Sequence, residues 1–510
     1  MKAKHNVALI VLDTQRVDRL SCYGYPHETT PNLDCFAKKA TRFEYAITPA
    51  QWTVPTHASI FTGFYPSQHS LFQMESALPP QVLTLAERLE MGGYKTVGFS
   101  HNPLVGQMKN GLNRGFQQFK NYNYLGAGLL TYQLSGGSKK HDVLSRLRTK
   151  ARSYASELLG YGDSKFFQRM SPLTFWMWKG FLQLSGQAKY AQMRASLQLA
   201  IKALQNNGVE NDGKPVFTFI NLMGVHVPYA PPVWAVSRFV PKHLKKNAST
   251  LLHSANNLQV DVKNWLALQL PKEERLAVLN AIYDAEVAGQ DAEVGWFLNE
   301  LERTGLLQNT MVVIVADHGD HLGEKDRLNH AFGVYKELTH VPLLIFDPSG
   351  QFSRGAVVRD TISTRRIFHS ILSVTGVASA EESQLSLANS SSSVTDVTIS
   401  EGMPLSWAIK RLEKVRPGIV SELGYERPSH AIFAENYKLI VQGDVSELYR
   451  YKKDVNEATN LSNELSREAS ELKRQLLQLQ VNLKPMQKDS DLEEDDEVVL
   501  AHLRALGYID

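Results

Sequence analysis

Two cysteines in 510 residues, Cys22 and Cys35, exclude a disulfide framework, and reduced thiols are the default. Charge of one sign is scarce as well. Against 52 Asp and Glu stand 55 Lys and Arg, a formal net charge of +3, which is no footprint for nucleic acid. No apolar run is long enough to span a bilayer. Lys2 and Lys4 precede Val7-Ala8-Leu9-Ile10-Val11-Leu12 in the manner of a secretory signal, but the run is short and stops at Asp13. The expectation is a cytoplasmic protein without a transmembrane segment. Internal repeats are absent too. With 43% hydrophobic residues, the length suits one large domain plus a smaller one.

What the chain does contain is a series of apolar runs, each closed by polar residues. Asn6 to Leu12 reads as a buried strand of a parallel sheet and ends at Asp13-Thr14. Ligands of open α/β sheets bind at that end of a strand. Asp13 is there as a metal ligand or as a turn former. Pro79 to Gly92 reads as a helix. Tyr94 to Phe99 reads as a strand closing at Ser100-His101-Asn102, where His101 is a substrate contact or a plain loop residue. Pro215 to Leu222 leads into Met223-Gly224-Val225-His226-Val227-Pro228-Tyr229. Lys272 to Arg303 is a long helix with Leu276, Leu279, Tyr283, Val287 and Val294 on its apolar side. Met311 to Ala316 runs directly into Asp317-His318-Gly319-Asp320. A carboxylate beside an imidazole at a strand end suits a divalent metal.

One further stretch organises the rest: Gln51-Trp52-Thr53-Val54-Pro55-Thr56-His57, continuing to Thr62-Gly63. It reads as a loop entering a helix, with Thr53 just before the first turn and Pro55 at an early helical position. A helix N-terminus holds tetrahedral oxyanions through unpaired N–H groups and its dipole. Thr53 is a helix cap or, if activated, a nucleophile.

Thr53-Val54-Pro55-Thr56-His57 with Thr62-Gly63 resembles the nucleophile motif of the sulfatases, in the alkaline phosphatase superfamily. That motif runs Cys or Ser, any residue, Pro, Ser or Thr, Arg, and ends in Thr-Gly. Here Thr53 takes the nucleophile position and His57 the arginine position. Further likenesses are Gln15 to Tyr25 and Thr29 to Asp34 after the first strand, the His226-Val227-Pro228-Tyr229 motif, Asp317-His318-Gly319, and His330 before Tyr335 and Val341-Pro342. The second Asp that the family often places after the first strand is Thr14 here.

The resemblance implies a mixed, mostly parallel sheet sandwiched by helices, followed by a small antiparallel sheet with a helix. With a linker read from Ser/Thr-rich composition at 383–402, the chain divides into a catalytic domain at 1–382 and an α+β subdomain at 403–510. Residues 104–205 match the family least and read as a helical insertion. Helices are expected at Arg146 to Leu159 and Ala188 to Leu204, with the aromatic run Phe175 to Phe181 between them as a lid or as core. Short strands are expected around Ala431, Tyr437 and Glu447, a helix from Leu461 to Leu483, and a terminal helix at Val498 to Tyr508.

The implied chemistry uses one divalent ion held by Asp13, Thr53, Asp317 and His318. The ligand set favours Mn²⁺ or Zn²⁺, with Mg²⁺ or Ca²⁺ as alternatives. His226, His330, His101 and His57 are the candidates to hold ester oxygens and protonate the leaving group, His57 as a pH-dependent clamp. Sulfatases oxidise their Cys or Ser to an aldehyde, formylglycine. Threonine is a secondary alcohol and cannot yield that aldehyde, so no formylglycine is expected. The expectation is a hydrolase of phosphate mono- or diesters, phosphonates or sulfate esters, acting through a covalent Thr53 intermediate. Its substrate would be a small molecule or a glycan or lipid head group, and homo-oligomerisation stays open. The alternatives are a phosphoryl-group transferase and an inactive sulfatase-like binding protein.

Overall fold

Asn6-Val-Ala-Leu-Ile-Val-Leu12 has no polar break after its first residue, and all seven residues are buried. Only a strand covered on both faces tolerates that pattern. The computed structural model describes residues 4–122, 172–205, 213–244, 272–389, 397–415 and 417–486, and it makes this strand, β1, the middle of a nine-stranded sheet. Its other strands are β2 (Thr41–Ile47), β3 (Lys95–Ser100), β4 (Gln118–Asn121), β5 (Val216–Leu222), β6 (Thr310–Val315), β9 (His340–Val341), β10 (Leu343–Phe346) and β11 (Val357–Ser363). The order is β11-β2-β10-β6-β1-β5-β3-β4, with β9 pairing β2. A two-residue-per-strand hairpin, β7 (His321–Leu322) and β8 (Leu328–Asn329), stands beyond β6.

Register decides where the site forms. β1 is parallel to β5, with Leu12 opposite Leu222, and parallel to β6, with Val11 opposite Val315. β3 is parallel to β5, with Ser100 opposite Asn221. Four strands therefore release their chains at one edge of the sheet. Only β9 and β10 run antiparallel to their neighbours. The helices that matter here are α1 (Thr53–Thr62), α2 (Leu85–Met91), α3 (Pro172–Gln205) and α4 (Lys272–Arg303).

Several boundaries differ from the sequence reading. Helix α2 starts at Leu85, not Pro79, because Thr84 and Glu87 form a reciprocal capping box: Glu87 N donates to Thr84 Oγ1 at 3.2 Å and Thr84 N to Glu87 Oε2 at 2.7 Å. Helix α3 begins at Pro172, well before Ala188, and includes the aromatic run in its backbone. The side chains of that run lie outside the described residues, as do the expected helices at 146–159 and 498–508. β2 escaped notice because Arg42 and Glu44 break up its apolar run. No described helix is long and apolar enough to cross a membrane.

The small C-terminal sheet has four antiparallel strands, β12 (Thr398–Gly402), β13 (Ser429–Ala434), β14 (Tyr437–Gln442) and β15 (Val445–Tyr449). Helix α5 (Ser466–Asn482) packs Ala469, Leu472 and Leu476 against Ile432, Leu439 and Leu448. β12 corrects the linker at 383–402: its five residues are all buried. Ser and Thr suit a covered strand as well as a linker, so composition alone could not separate the two. β12 also joins the two sheets, since Glu401 N donates to Pro49 O at 2.7 Å.

The Glu401 side chain accepts from Ser67 N at 2.9 Å, and burial pushes its carboxyl up to about 7 from 4.5. A raised folded-state value means that the fold binds the proton more tightly. Stability is complete below about pH 4.5 and declines as pH rises through about 7, by roughly 3 kcal/mol in all. Glu401→Gln should flatten that decline. Melting temperatures of both proteins from pH 5 to 8 check it; parallel curves would contradict the assignment.

Candidate active site

Each residue at this edge arrives by a different route. Asp13 leaves the end of β1 and is wholly buried. Thr14 follows in the left-handed region, at φ 59°, unusual for a β-branched residue. That turn aims Thr14 N at Asp317 Oδ1, 3.2 Å away, and returns its hydroxyl to Asp13 O at 2.7 Å. Thr14 thus orients a carboxylate and is not itself placed as a ligand. Asp317 and His318 leave the end of β6, and Asp317 Oδ1 also accepts from His318 N at 2.9 Å.

Thr53 is the first residue of α1; Trp52 holds the cap position, one residue earlier than the sequence reading placed it. The Thr53 hydroxyl lies 3.2 Å from His318 Nε2. His318 Nδ1–H donates to Gly319 O at 2.8 Å, because a carbonyl can only accept. Nε2 is consequently the lone-pair nitrogen, and it faces Thr53, Asp317 Oδ2 at 3.5 Å and Asp13 Oδ1 at 3.9 Å.

His57 follows Thr53 by one helical turn and stays on the same face. Its Nδ1–H donates to Thr53 O at 2.9 Å, and Nδ1 is 3.5 Å from Asp317 Oδ2. Phe61 and Phe219 meet its ring edge-on. Burial holds its pKa below the ordinary histidine value. Burial there favours the uncharged imidazole, and His57 is seated beneath Thr53.

Two asparagines complete the floor, and the sequence reading assigned neither. Asn102 Nδ2 donates to Asp13 Oδ2 at 2.9 Å, and Asn221 Nδ2 to the same oxygen at 3.3 Å. His101 does not join the cluster. Its Nε2 lies 3.0 Å from Ser196 Oγ on α3, and its ring stacks on Tyr122. Successive side chains leaving a strand point to opposite sides, so the site receives Asn102 in place of His101.

His226 and His330 stand over the other side. Their ring centroids are 5.3 Å apart, and His330 lies 4.4 Å from His318. His226 Nδ1–H donates to Val227 O. His330 Nδ1 is held by Asp320 Oδ1 at 3.1 Å, and Tyr229 OH donates to Asp320 Oδ2 at 3.4 Å. Asp320 is a further residue the sequence reading left without a role. Burial holds His226, His318 and His330 below the ordinary value, His318 at about 3 and His330 at about 4. All are neutral imidazoles at pH 7, the form that binds metal. Thr53, Asp13, Asp317 and His318 are 0% exposed, while His226 and His330 are 2% and 5% exposed and form the accessible side.

The donor set fits a divalent ion. One atom each of Asp13, Asp317 and His318 lie within 4.8 Å of one another. Asp13 Oδ1 and Asp317 Oδ2 are buried and have no hydrogen-bond partner among the described residues. Burial would raise Asp13, but His226, His318 and the Asn102 amide hold it below its ordinary value. Asp317 is pushed well above its own by burial and then by the Asp13 charge. Two carboxylates this close relieve each other by sharing a cation.

The sulfatase family model matches residues 5–377 of this chain. The chain belongs to the sulfatase family. It is 24% identical over 389 residues to an arylsulfatase of Clostridium perfringens, covering 72% of this chain and 74% of that one. It is 23% identical over 381 residues to the ulvan-active sulfatase of Formosa agariphila, covering 73% of this chain but 62% of that one. Among solved structures it is similar to the phosphonate monoester hydrolase of Agrobacterium radiobacter, with a TM-score of 0.64 at 19% identity over 94% and 96% of the two chains.

Proposed function

We propose that this sulfatase-family chain is a metal-dependent hydrolase whose nucleophile is Thr53, with phosphate diesters, monoesters or phosphonates preferred over sulfate esters. The observation that carries the reading is the Thr53 hydroxyl, 3.2 Å from the lone-pair nitrogen of His318 at the helix start beside Asp13 and Asp317. An inactive binding protein has no need of two buried carboxylates with unpaired oxygens.

Asp13, Asp317 and His318, with the Thr53 hydroxyl beside them, would hold a divalent ion, which would lower the hydroxyl's pKa and offset the charge of the ester. Thr53 Oγ forms the bond to phosphorus as the bond to the alcohol oxygen breaks. The neutral imidazole of His226 or His330, on the accessible side, takes the proton that Thr53 Oγ gives up and passes it to that alcohol oxygen. Water then attacks phosphorus and restores the Thr53 hydroxyl, since no aldehyde hydrate is available to expel the group without attack on the central atom. His57 and Asn221 hold the floor dry and uncharged, so the fixed dipoles act in a low dielectric.

A panel of aryl phosphate, bis-aryl phosphate, aryl phosphonate and aryl sulfate, assayed with Mn²⁺, Zn²⁺, Mg²⁺ and Ca²⁺ in turn, tests this directly. The expected ranking puts a phosphorus ester first with Mn²⁺ or Zn²⁺. Aryl sulfate turned over fastest would overturn the substrate preference.

A further inference from the structure

The buried face of α4 carries two polar side chains that the reaction leaves unused. Glu286 and Gln290 are buried and one helical turn apart. Both bind the loop that carries His226. Gln290 Oε1 accepts from Gly224 N at 2.8 Å, two residues before His226. Glu286 Oε1 accepts from Ala230 N, four residues after it. The contact at Gly224 is close: a β-carbon there would meet Gln290 Oε1 at 2.4 Å.

The same face reaches the opposite half of the site. Gln290 Nε2 donates to Gln15 Oε1 at 3.2 Å. Tyr283 OH donates to Thr14 O at 2.6 Å and accepts from Arg16 N at 3.0 Å. Positions 283, 286 and 290 fall on one helical stripe. Glu286 is itself anchored from α3, by Lys189 Nζ at 3.1 Å and by the Tyr190 hydroxyl. One rigid helix thus grips the loop before and after His226 and the turn after Asp13.

We propose that Glu286 and Gln290 are positioning residues that set His226 against the Asp13–Thr14 turn. The inference rests on His226 acting in the reaction of this site. Backbone N–H groups at both ends of a loop, tied to one helix, restrain it more tightly than apolar packing would, since hydrogen bonds are directional.

The test uses the full chain loaded with Zn²⁺ and ¹³C-labelled at histidine Cε1, with the His226 signal identified by His226→Gln. Gln290→Leu should move that signal, lower kcat on the best substrate of the panel about 10- to 100-fold, and leave KM within about twofold and zinc content unchanged. Gln290→Glu retains an acceptor for Gly224 N and should recover most of the rate and the original signal. Should Gln290→Leu fail to fold, Gly224→Ala drives the loop off an intact Gln290 and should show the same displacement. A folded Gln290→Leu or Gly224→Ala with an unmoved His226 signal overturns the proposal. The NMR readout needs no turnover, so it decides the matter even if every ester in the panel is inert, an outcome that would sink the hydrolase reading alone.

Discussion

Thr53→Ala should lower turnover of an aryl phosphodiester by about 10⁴-fold or more, the scale on which removal of a nucleophile acts. The Thr53 hydroxyl is the one group that is at once at the first residue of α1 and 3.2 Å from His318 Nε2. Among the described residues, the neighbouring hydroxyls are engaged elsewhere: Thr14 Oγ1 is turned back to Asp13 O, and Thr56 Oγ1 donates to Ala50 O at 3.3 Å. Thr53→Ser should keep part of the activity, because the attacking oxygen survives and only the buried methyl group is lost. Acid quench of the working enzyme followed by mass spectrometry should find a phosphoryl adduct on the peptide containing Thr53. An unmodified peptide, together with near-normal turnover by Thr53→Ala, would mean that Thr53 only starts the helix and that water attacks directly.

Asp317→Asn should abolish most metal binding and, with it, turnover. Even outer partners of metal ligands change affinity by about 10- to 100-fold, so loss of a charged ligand should cost at least that. The sign of the stability change is the more telling result. Without metal, Asp317 is pushed well above the ordinary carboxyl value of 3.8 by burial and by Asp13. Its ionisation therefore destabilises the metal-free fold, and stability is lost as pH rises above that value. Asn has no charge to lose, so metal-free Asp317→Asn should melt above the chelator-treated parent at pH 7. Added Mn²⁺ or Zn²⁺ should raise the melting temperature of the parent, as any ligand of the native state does, and leave Asp317→Asn unmoved. Differential scanning calorimetry with and without chelator reads both effects. Full metal content in Asp317→Asn would remove Asp317 from the ligand set.

Local pattern was enough wherever one residue type at one strand end has a single way to lie. Runs such as Val7–Leu12 and Met311–Val315 are apolar without interruption, so they announced buried parallel strands and placed Asp13, Asp317 and His318 at their ends. The Thr53 motif announced a helix start by its Pro55 and closing Gly63. The choice between neighbours required the folded chain. Whether His101 or Asn102 enters the site depends on which way the backbone faces as it leaves β3, and no composition encodes that parity. Asn221 lies inside a strand that reads as plain core, and becomes a site residue only because β5 sits beside β1. Glu286 and Gln290 fall on the helix face that Tyr283, Val287 and Val294 mark as apolar, and their partners on the His226 loop appear only once α4 is packed across the sheet edge. The charge on His57 is likewise a tertiary matter: the sequence supplies an imidazole with an ordinary affinity for protons, and burial against Phe61 and Phe219 takes the charge away. Residue type and strand-end position were thus determined by the sequence alone. Direction, partnership and protonation were decided by the tertiary structure, because each depends on atoms distant along the chain that only the packed fold brings within a few ångströms.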